Sequence, residues 1–370
     1  MIIFVAFSLL YILFLLWCRY HWMHIPQVNR STSSSLTFSV VLPVRNEEAN
    51  IADLIADLQR QNYPHSWFEV ILVDDGSEDE TIDLAQSAFA KTDLSFQILE
   101  LSERKLTGKK QAITYGVESA RNEIILCTDG DCRLPATWIE AYAQLYEASG
   151  CQMVAGPVRM KGETFFTNLQ AVEFGGLIGI GAASLQSGNP GMCNGANLSY
   201  RKKIFQEVGG YEGNTQIASG DDEFLLQKIF ARHSNAVRFL KSKDGIVTTP
   251  AKSTMGELVS QRLRWSSKWK FHKSWYIRVM AVLAFLNYVS VFIGALQGFL
   301  FENGVLVFGS IMILRWLTAY FFVLPVSQFS DIRKPLLYSF WVEIIYPFVV
   351  IFLGIASIFG QYSWKGRRYS

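Results

Sequence analysis

Four short clusters combine acidic, basic and aromatic residues in patterns that chemistry can use. Asp129-Gly130-Asp131 sets two carboxylates around a glycine. A hard divalent cation takes such oxygens, and Mg²⁺ commonly uses one or two protein carboxylates plus substrate phosphates; the tripeptide equally suits a plain turn. Asp74-Asp75-Gly76-Ser77 has two readings as well. A carboxylate there can accept from the imide N–H of a uracil ring, or cap the helix that follows. Asp221-Asp222-Glu223 places three acids side by side after Gly220. Their mutual repulsion favours a proton on one of them, which suits a general base, while the alternative is helix-opening acids facing the macrodipole. Gln261, Arg264 and Trp265 are spaced i, i+3 and i+4, hence on one helical face. Together they offer an amide, a phosphate-binding fork and a flat stacking surface, or they belong to a helix at a membrane interface.

These clusters need elements to position them. Phe38 to Pro43 reads as a buried strand, Glu47 to Gln61 as a helix, Val70 to Val73 as a second strand and Glu80 to Phe89 as a helix. Phe96 to Leu99, the helix Lys109 to Ala120 and the strand Glu123 to Thr128 continue the alternation. Strands alternating with helices predict an α/β domain with a mostly parallel, doubly wound sheet. In such sheets ligands sit beyond the carboxyl ends of the strands, where both acidic turns fall. Gly175 to Gly181 is glycine-rich but follows a predicted helix and lacks dinucleotide-loop spacing, so it reads as a helix or loop near the bilayer surface, not a further span.

The order of the motifs is more specific than any one of them. A strand with VDDGS and a helix, a strand with DGD, then GDDE and QRLRW beside membrane segments resembles the membrane-bound, inverting, processive-type branch of glycosyltransferase family 2, over roughly Phe38 to Trp265. Pro43-Val44-Arg45-Asn46-Glu47, Gly108-Lys109 and Asn194-Gly195-Ala196-Asn197 support the likeness. It implies a GT-A fold, a nucleotide diphosphate sugar donor, usually UDP-linked, and Mg²⁺ or Mn²⁺. Carried over, Asp74 and Asp75 contact base and ribose alongside Pro43, Arg45 and Glu47, and Lys109 lies on the donor side. Asp129 and Asp131 meet the sugar diphosphate and metal, with Asp131 the direct ligand. Asp222 is the base, with Asp221 in place of the usual glutamate and therefore a rival for that role. Gln261, Arg264 and Trp265 hold the diphosphate and the acceptor end. A processive polysaccharide synthase is the close alternative, and a non-catalytic nucleotide-binding subunit the alternative of another class.

Composition divides the chain. Only 18% of its 370 residues are charged, against roughly 25% in ordinary globular proteins. The deficit sits in Ile2 to Cys18, Val279 to Phe301, Gly304 to Val326 and Leu336 to Gly360, where Arg315 and Glu343 are the only charges. Each approaches or exceeds the roughly 20 apolar residues a spanning helix needs. This excludes a purely soluble enzyme and a disordered chain, and a net charge of +2 gives no case for nucleic acid. The expected organisation is an anchor over 1–19, a catalytic domain over 36–260, an interfacial QxxRW helix over 261–278, membrane helices over 279–360 and a basic tail over 361–370. Arg19 and Arg30, with the basic and aromatic run from Arg262 to Arg278, place the catalytic domain in the cytoplasm at the inner membrane, in contact with membrane lipids. The positive-inside rule cannot be met at both Arg333-Lys334 and Lys365-Arg368 by three full spans. One stretch is therefore expected to be re-entrant or interfacial, either the third with Arg315 or the last with Glu343 and Pro347. The five cysteines lack a disulfide-framework spacing, and the sequons at Asn29 and Asn197 read as chance matches.

Overall fold

The computed structural model describes residues 1–27, 34–214, 220–268 and 274–357, plus the backbone of 358–359, 362–364 and 367–369. The Asn29 sequon with Arg30, residues 31–33, the basic-aromatic residues 269–273 and the side chains of the C-terminal tail lie outside the described residues. The chain forms two compact units: Ile25–Met160 with Ser184–Pro250, and Met1–His24 with Lys161–Ala183 and Ala251–Ser370. Segment 161–183 and residues 251–260 thus belong with the membrane-type helices, not with the expected 36–260 domain.

After α1 (Ile2–Met23), the sheet unit alternates β1 (Phe38–Val44), α2 (Ile51–Gln59), β2 (Phe68–Asp74), α3 (Thr81–Phe89), β3 (Ser95–Glu100), α4 (Lys109–Ser119) and β4 (Ile124–Cys127). All seven residues of β2 are buried, the pattern of a strand covered on both faces. α5 (Trp138–Ser149), β5 (Met153–Ala155), β6 (Val158–Lys161), α6 (Phe165–Gln186), β7 (Leu198–Arg201), α7 (Lys202–Glu207), α8 (Asp221–Arg232), β8 (Val237–Phe239) and β9 (Val247–Pro250) follow. The main sheet runs β3-β2-β1-β4-β7-β5-β8, and β6 pairs with β9. β3, β2, β1 and β4 are parallel, while β7 opposes both its neighbours, so the sheet is mixed. α4 lies close on β1 because residue 116 is glycine: a Cβ there would sit 2.5 Å from Val41 Cγ1. The helix expected from Glu47 starts only at Ile51. Asn46 is left-handed at φ 51°, and the Asn50 amide closes a turn onto the Glu47 carbonyl at 2.9 Å.

Asn197 is fully buried. Its side-chain oxygen accepts from Trp138 Nε1 at 2.8 Å and Tyr142 Oη at 2.7 Å, and its amide donates to the carbonyls of Pro157 and Gly245 at 2.7 and 2.9 Å. Every polar valence of the side chain is used inside the core, which leaves that sequon no accessible nitrogen.

The other unit contains α1, α9 (Met255–Ser266), α10 (Trp275–Leu300), α11 (Gly304–Ser330) and α12 (Pro335–Phe359), with the short hairpin β10 (Tyr362–Trp364) and β11 (Arg367–Tyr369). Among the described residues, α1, α10, α11 and α12 are long and apolar enough to cross a membrane. Both α11 and α12 run unbroken through Pro325 and Pro347. Their two charges are there because they pair. Arg315, wholly buried, donates Nε to Glu343 Oε1 at 2.8 Å and Nη1 to Asn287 Oδ1 at 2.9 Å and Ser8 Oγ at 3.3 Å, while Tyr11 Oη donates to Glu343 Oε2 at 3.0 Å. Four helices thus converge on one ion pair. The glycine run lies inside α6, where a Cβ on Gly179 would fall 2.8 Å from Val326 of α11.

An unpaired buried charge costs far more than a lost contact, so Glu343→Leu is expected to destabilise the helical unit by about 3–5 kcal/mol. Arg315→Leu combined with Glu343→Leu should cost less than Glu343→Leu alone, as thermal unfolding of the detergent-solubilised protein would show.

Candidate active site

Because β1, β2 and β4 are parallel, the segments leaving them emerge at one edge of the sheet: Arg45–Glu47, Asp74–Ser77 and Asp129–Asp131. β7 runs the other way, with Leu198 opposite Cys127, so the residues preceding it reach the same edge. Thr128 Oγ1 ties them there by donating to the Ala196 carbonyl at 2.8 Å. Ten residues singled out in the sequence, Pro43, Arg45, Glu47, Asp74, Asp75, Lys109, Asp129, Asp131, Asp221 and Asp222, belong to this unit and gather around this edge.

The first acidic turn divides its labour. Asp74 accepts from the amides of Gly76 at 3.0 Å and Ser77 at 3.1 Å and from the Ser77 hydroxyl, around a Gly76 at φ 75°, and so shapes the turn itself. Asp75 Oδ1 instead accepts from the Gly108 amide at 2.7 Å, which anchors the entry to α4. Arg45 donates Nη1 to the Asp75 carbonyl at 3.1 Å and Nη2 to Glu78 at 3.0 Å. Pro43 is the one half-buried residue of β1 and pairs opposite Val73. Glu47 accepts from Asn50 Nδ2 at 2.8 Å and abuts the second acidic turn, since a Cβ on Gly130 would lie 2.7 Å from Glu47 Cγ. Only glycine lets these two loops touch so closely.

Lys109, the first residue of α4, is the centre of the constellation. Its Nζ lies 2.7 Å from Asp129 Oδ1 and 3.2 Å from Asp221 Oδ2, joining the DGD turn to the start of α8. Burial alone would lower the ammonium pKa; Asp129 and Asp221 outweigh it and hold that pKa well above the ordinary lysine range. The three consecutive acids do not act alike. Asp221 is buried against Lys109, whereas the half-buried Asp222 accepts from the Gly195 amide at 3.0 Å and the Glu223 amide at 2.8 Å. Gly195 has to be small: a Cβ would fall 2.8 Å from Asp221 Oδ2. The nearby thiols are not nucleophiles, because burial pushes Cys127 up to about 12 and raises Cys132 well above its usual range.

Among the described residues no group of three or more metal-ligating side chains occurs. Asp129 and Asp131 supply two hard carboxylates one residue apart, which fits a Mg²⁺ or Mn²⁺ ion that takes its remaining oxygens from a substrate diphosphate and water.

Gln261, Arg264 and Trp265 lie on α9, in the other unit. A Thr254–Glu257 capping box starts this helix. The expected single helix over 261–278 is not formed: α9 ends at Ser266, and Ser274 is extended at ψ 118° before α10 begins. Nor is its basic residue Arg262 a lipid-facing charge; it is buried and paired with Glu173. Two residues escaped the sequence reading. Gly195 had a signal in the Asn194–Asn197 motif, and Glu173 had one as the only charge in α6.

Lys109→Met is expected to remove the ammonium that Asp129 and Asp221 share and to lower the melting temperature. A group whose pKa is raised on folding contributes fully below its unfolded value, about 10.4 for lysine. The deficit should therefore be constant from pH 6 to pH 9, which melting curves across that range would check.

Comparison with known proteins bears on this arrangement. Residues 39–209 match the family described as Glycosyl transferase family 2. The chain is 29% identical over 242 residues to glycosyltransferase AglE of Haloferax volcanii, covering 63% of this chain and 73% of that protein. It is 37% identical over 99 residues to the dodecaprenyl-phosphate galacturonate synthase of Rhizobium johnstonii, 26% of this chain and 28% of that one, and 23% identical to the poly-beta-1,6-N-acetyl-D-glucosamine synthase of Staphylococcus aureus, 67% and 58% respectively. It therefore spans less than two thirds of the latter two. The mannosyltransferase PcManGT of Pyrobaculum calidifontis, solved with GDP-Man and Mn²⁺, shares the fold with a TM-score of 0.61 at 18% identity, over 92% of this chain and 98% of that one. The mixed seven-stranded sheet is accordingly a GT-A fold, and residues 39–209 are similar in sequence to the family 2 glycosyltransferases.

Proposed function

We propose that this glycosyltransferase moves a sugar from a nucleoside diphosphate, UDP in the first instance, to a lipid-linked or envelope glycan acceptor with inversion at the anomeric carbon. The observation that carries the proposal is the Lys109 bridge, which brings the diphosphate-side Asp129 and the base-side Asp221-Asp222 pair into one site 2.7 and 3.2 Å from a single ammonium. Asp222 rather than Asp221 is the base: it is the more exposed of the two, and Asp221 is committed to Lys109. In the step, the acceptor hydroxyl gives its proton to Asp222 as its oxygen bonds to the anomeric carbon, and the bond from that carbon to the diphosphate oxygen breaks on the opposite face. Lys109 stabilises negative charge near Asp129, and the backbone N–H of Gly195 keeps the Asp222 carboxylate in place. Asp75, with Arg45 and Glu47, forms the lip for base and ribose. A divalent cation held by Asp131 and Asp129 would neutralise charge on the departing diphosphate. Gln261, Arg264 and Trp265 hold the diphosphate and acceptor end, by their chemistry of amide, guanidinium fork and stacking ring.

A lipid-borne acceptor is favoured by the four membrane-type helices and by a relative named for a dodecaprenyl phosphate product. By the charge asymmetry of the loops, the catalytic domain faces the cytoplasm at the inner membrane. A second reading, processive polymer synthesis, draws on the poly-N-acetylglucosamine synthase relative. The two are separated by the length of the product that membranes make from labelled nucleotide sugar.

A screen of UDP and GDP sugars on membranes holding the chain, with mass analysis of the lipid extract, tests the proposal directly. A product made only from a donor lacking a diphosphate would overturn it, and so would failure to release any nucleoside diphosphate. Asp222→Asn is expected to keep UDP binding while losing about 10²- to 10⁴-fold in transfer. Turnover like the wild type in that variant, with loss in Asp221→Asn, would move the base to Asp221.

A further inference from the structure

Within the helical unit, two of the three α9 residues assigned above to the ligand, Gln261 and Trp265, are both contacted by Arg262. Arg262 donates Nη1 to Gln261 Oε1 at 3.1 Å, and its guanidinium carbon lies 4.3 Å over the Trp265 ring. Arg262 is in turn set by Glu173 of α6, whose Oε2 pairs with Nη2. The other oxygen, Oε1, accepts from Tyr346 Oη of α12 at 3.2 Å. The same stretch of α6 supports α9 twice more. Gln170 bonds both backbone groups of Lys252 at 2.9 and 3.0 Å, just ahead of the α9 capping box, and Phe174 packs against Trp265 at 5.9 Å between ring centres.

An ion pair largely withdrawn from water, with side-chain exposures of 9% for Arg262 and 11% for Glu173, is a costly way to pack two helices, since apolar side chains of similar volume hold as well or better. Glu173 is the sole charge in a helix of 22 residues. What the pair does achieve is one fixed rotamer for Arg262. That rotamer engages the carboxamide oxygen of Gln261, so the group Gln261 offers to a ligand is its N–H₂ side, a donor suited to phosphate or hydroxyl oxygen.

We propose that Glu173 is a positioning residue for transfer: through Arg262, and held from the membrane side by Tyr346, it sets the orientation in which Gln261 and Trp265 meet the diphosphate and acceptor. This rests on the reading of those two residues given above. Tyr346 also packs edge-on against Tyr288 at 5.5 Å, and Tyr288 against Tyr11, the residue that donates to Glu343. The orientation of the α9 residues is therefore linked to the buried ion pair between the spanning helices.

The test uses the full chain in membranes with labelled UDP-N-acetylglucosamine, or the UDP or GDP sugar that the donor screen identifies. Label is counted separately in lipid extract and in free sugar, and UDP affinity is measured alongside. Glu173→Gln and Tyr346→Phe are expected to reduce transfer by about 10- to 100-fold, with donor KM and UDP affinity unchanged and a larger share of label released as free sugar. Combined with Gln261→Ala, neither should lower transfer further than Gln261→Ala alone. Wild-type partition of label in both variants, or losses that multiply with that of Gln261→Ala, would overturn the proposal while leaving the catalytic reading intact. If Glu173→Gln loses UDP binding through misfolding, Tyr346→Phe, which deletes one hydroxyl, decides. Wild-type transfer by Gln261→Ala itself would instead overturn the assignment of that residue and this inference with it.

Discussion

One ammonium group between two carboxylates holds the acidic edge of the sheet together. Asp129 follows a parallel strand and Asp221 opens a helix 92 residues later, and left to themselves they would repel across a partly buried gap. Lys109 converts that repulsion into a three-point bridge, and the bridge works because α4 starts where it does. That start is fixed by Gly108, whose φ of 100° a side chain would resist, and by Asp75, which accepts its amide. The same contact thus runs back into the first acidic turn, so three sequence motifs become one electrostatic unit. Gly130 and Gly195 complete it by letting backbone come where a methyl group would collide.

The helical unit solves a different problem with the same physics. Helices that face lipid have no hydrophobic drive to choose one another, and packing plus buried hydrogen bonds must supply specificity. Here Arg315 and Glu343, with Ser8, Tyr11 and Asn287, bring α1, α10, α11 and α12 to a single register. α6 joins the assembly by a glycine face toward α11 and a polar face toward α9, so one helix serves both close packing and the placement of the QxxRW residues.

The alternation of apolar strands and amphipathic helices was legible because a strand buried on both faces must read as a continuous apolar run, as Val70 to Val73 does. The four long apolar helices were legible for the same reason of solvent: hydrocarbon tolerates few charges, and the four apolar stretches of the sequence hold only two. What could not be read was whatever depended on distant partners. The reversed direction of β7 shows in its antiparallel pairing with β4 and β5, not in its own four residues. Arg315 and Glu343 looked like interruptions because their pairing joins positions 28 residues apart on separate helices. Arg262 looked like an interfacial charge because its partner is 89 residues away.

The sequence by itself determined which residue types are present for chemistry, which segments can lie in a membrane, and that the acidic turns end strands, since all three depend on local patterns of polarity and spacing. The division of labour among those residues was decided only in three dimensions. Asp74 builds its own turn while Asp75 holds α4, and Asp221 neutralises Lys109 while Asp222 rests on a backbone amide. Neighbours in sequence with the same carboxylate acquire different tasks because a side chain's role is set by the charges and donors within a few ångströms, and those are assembled by the fold.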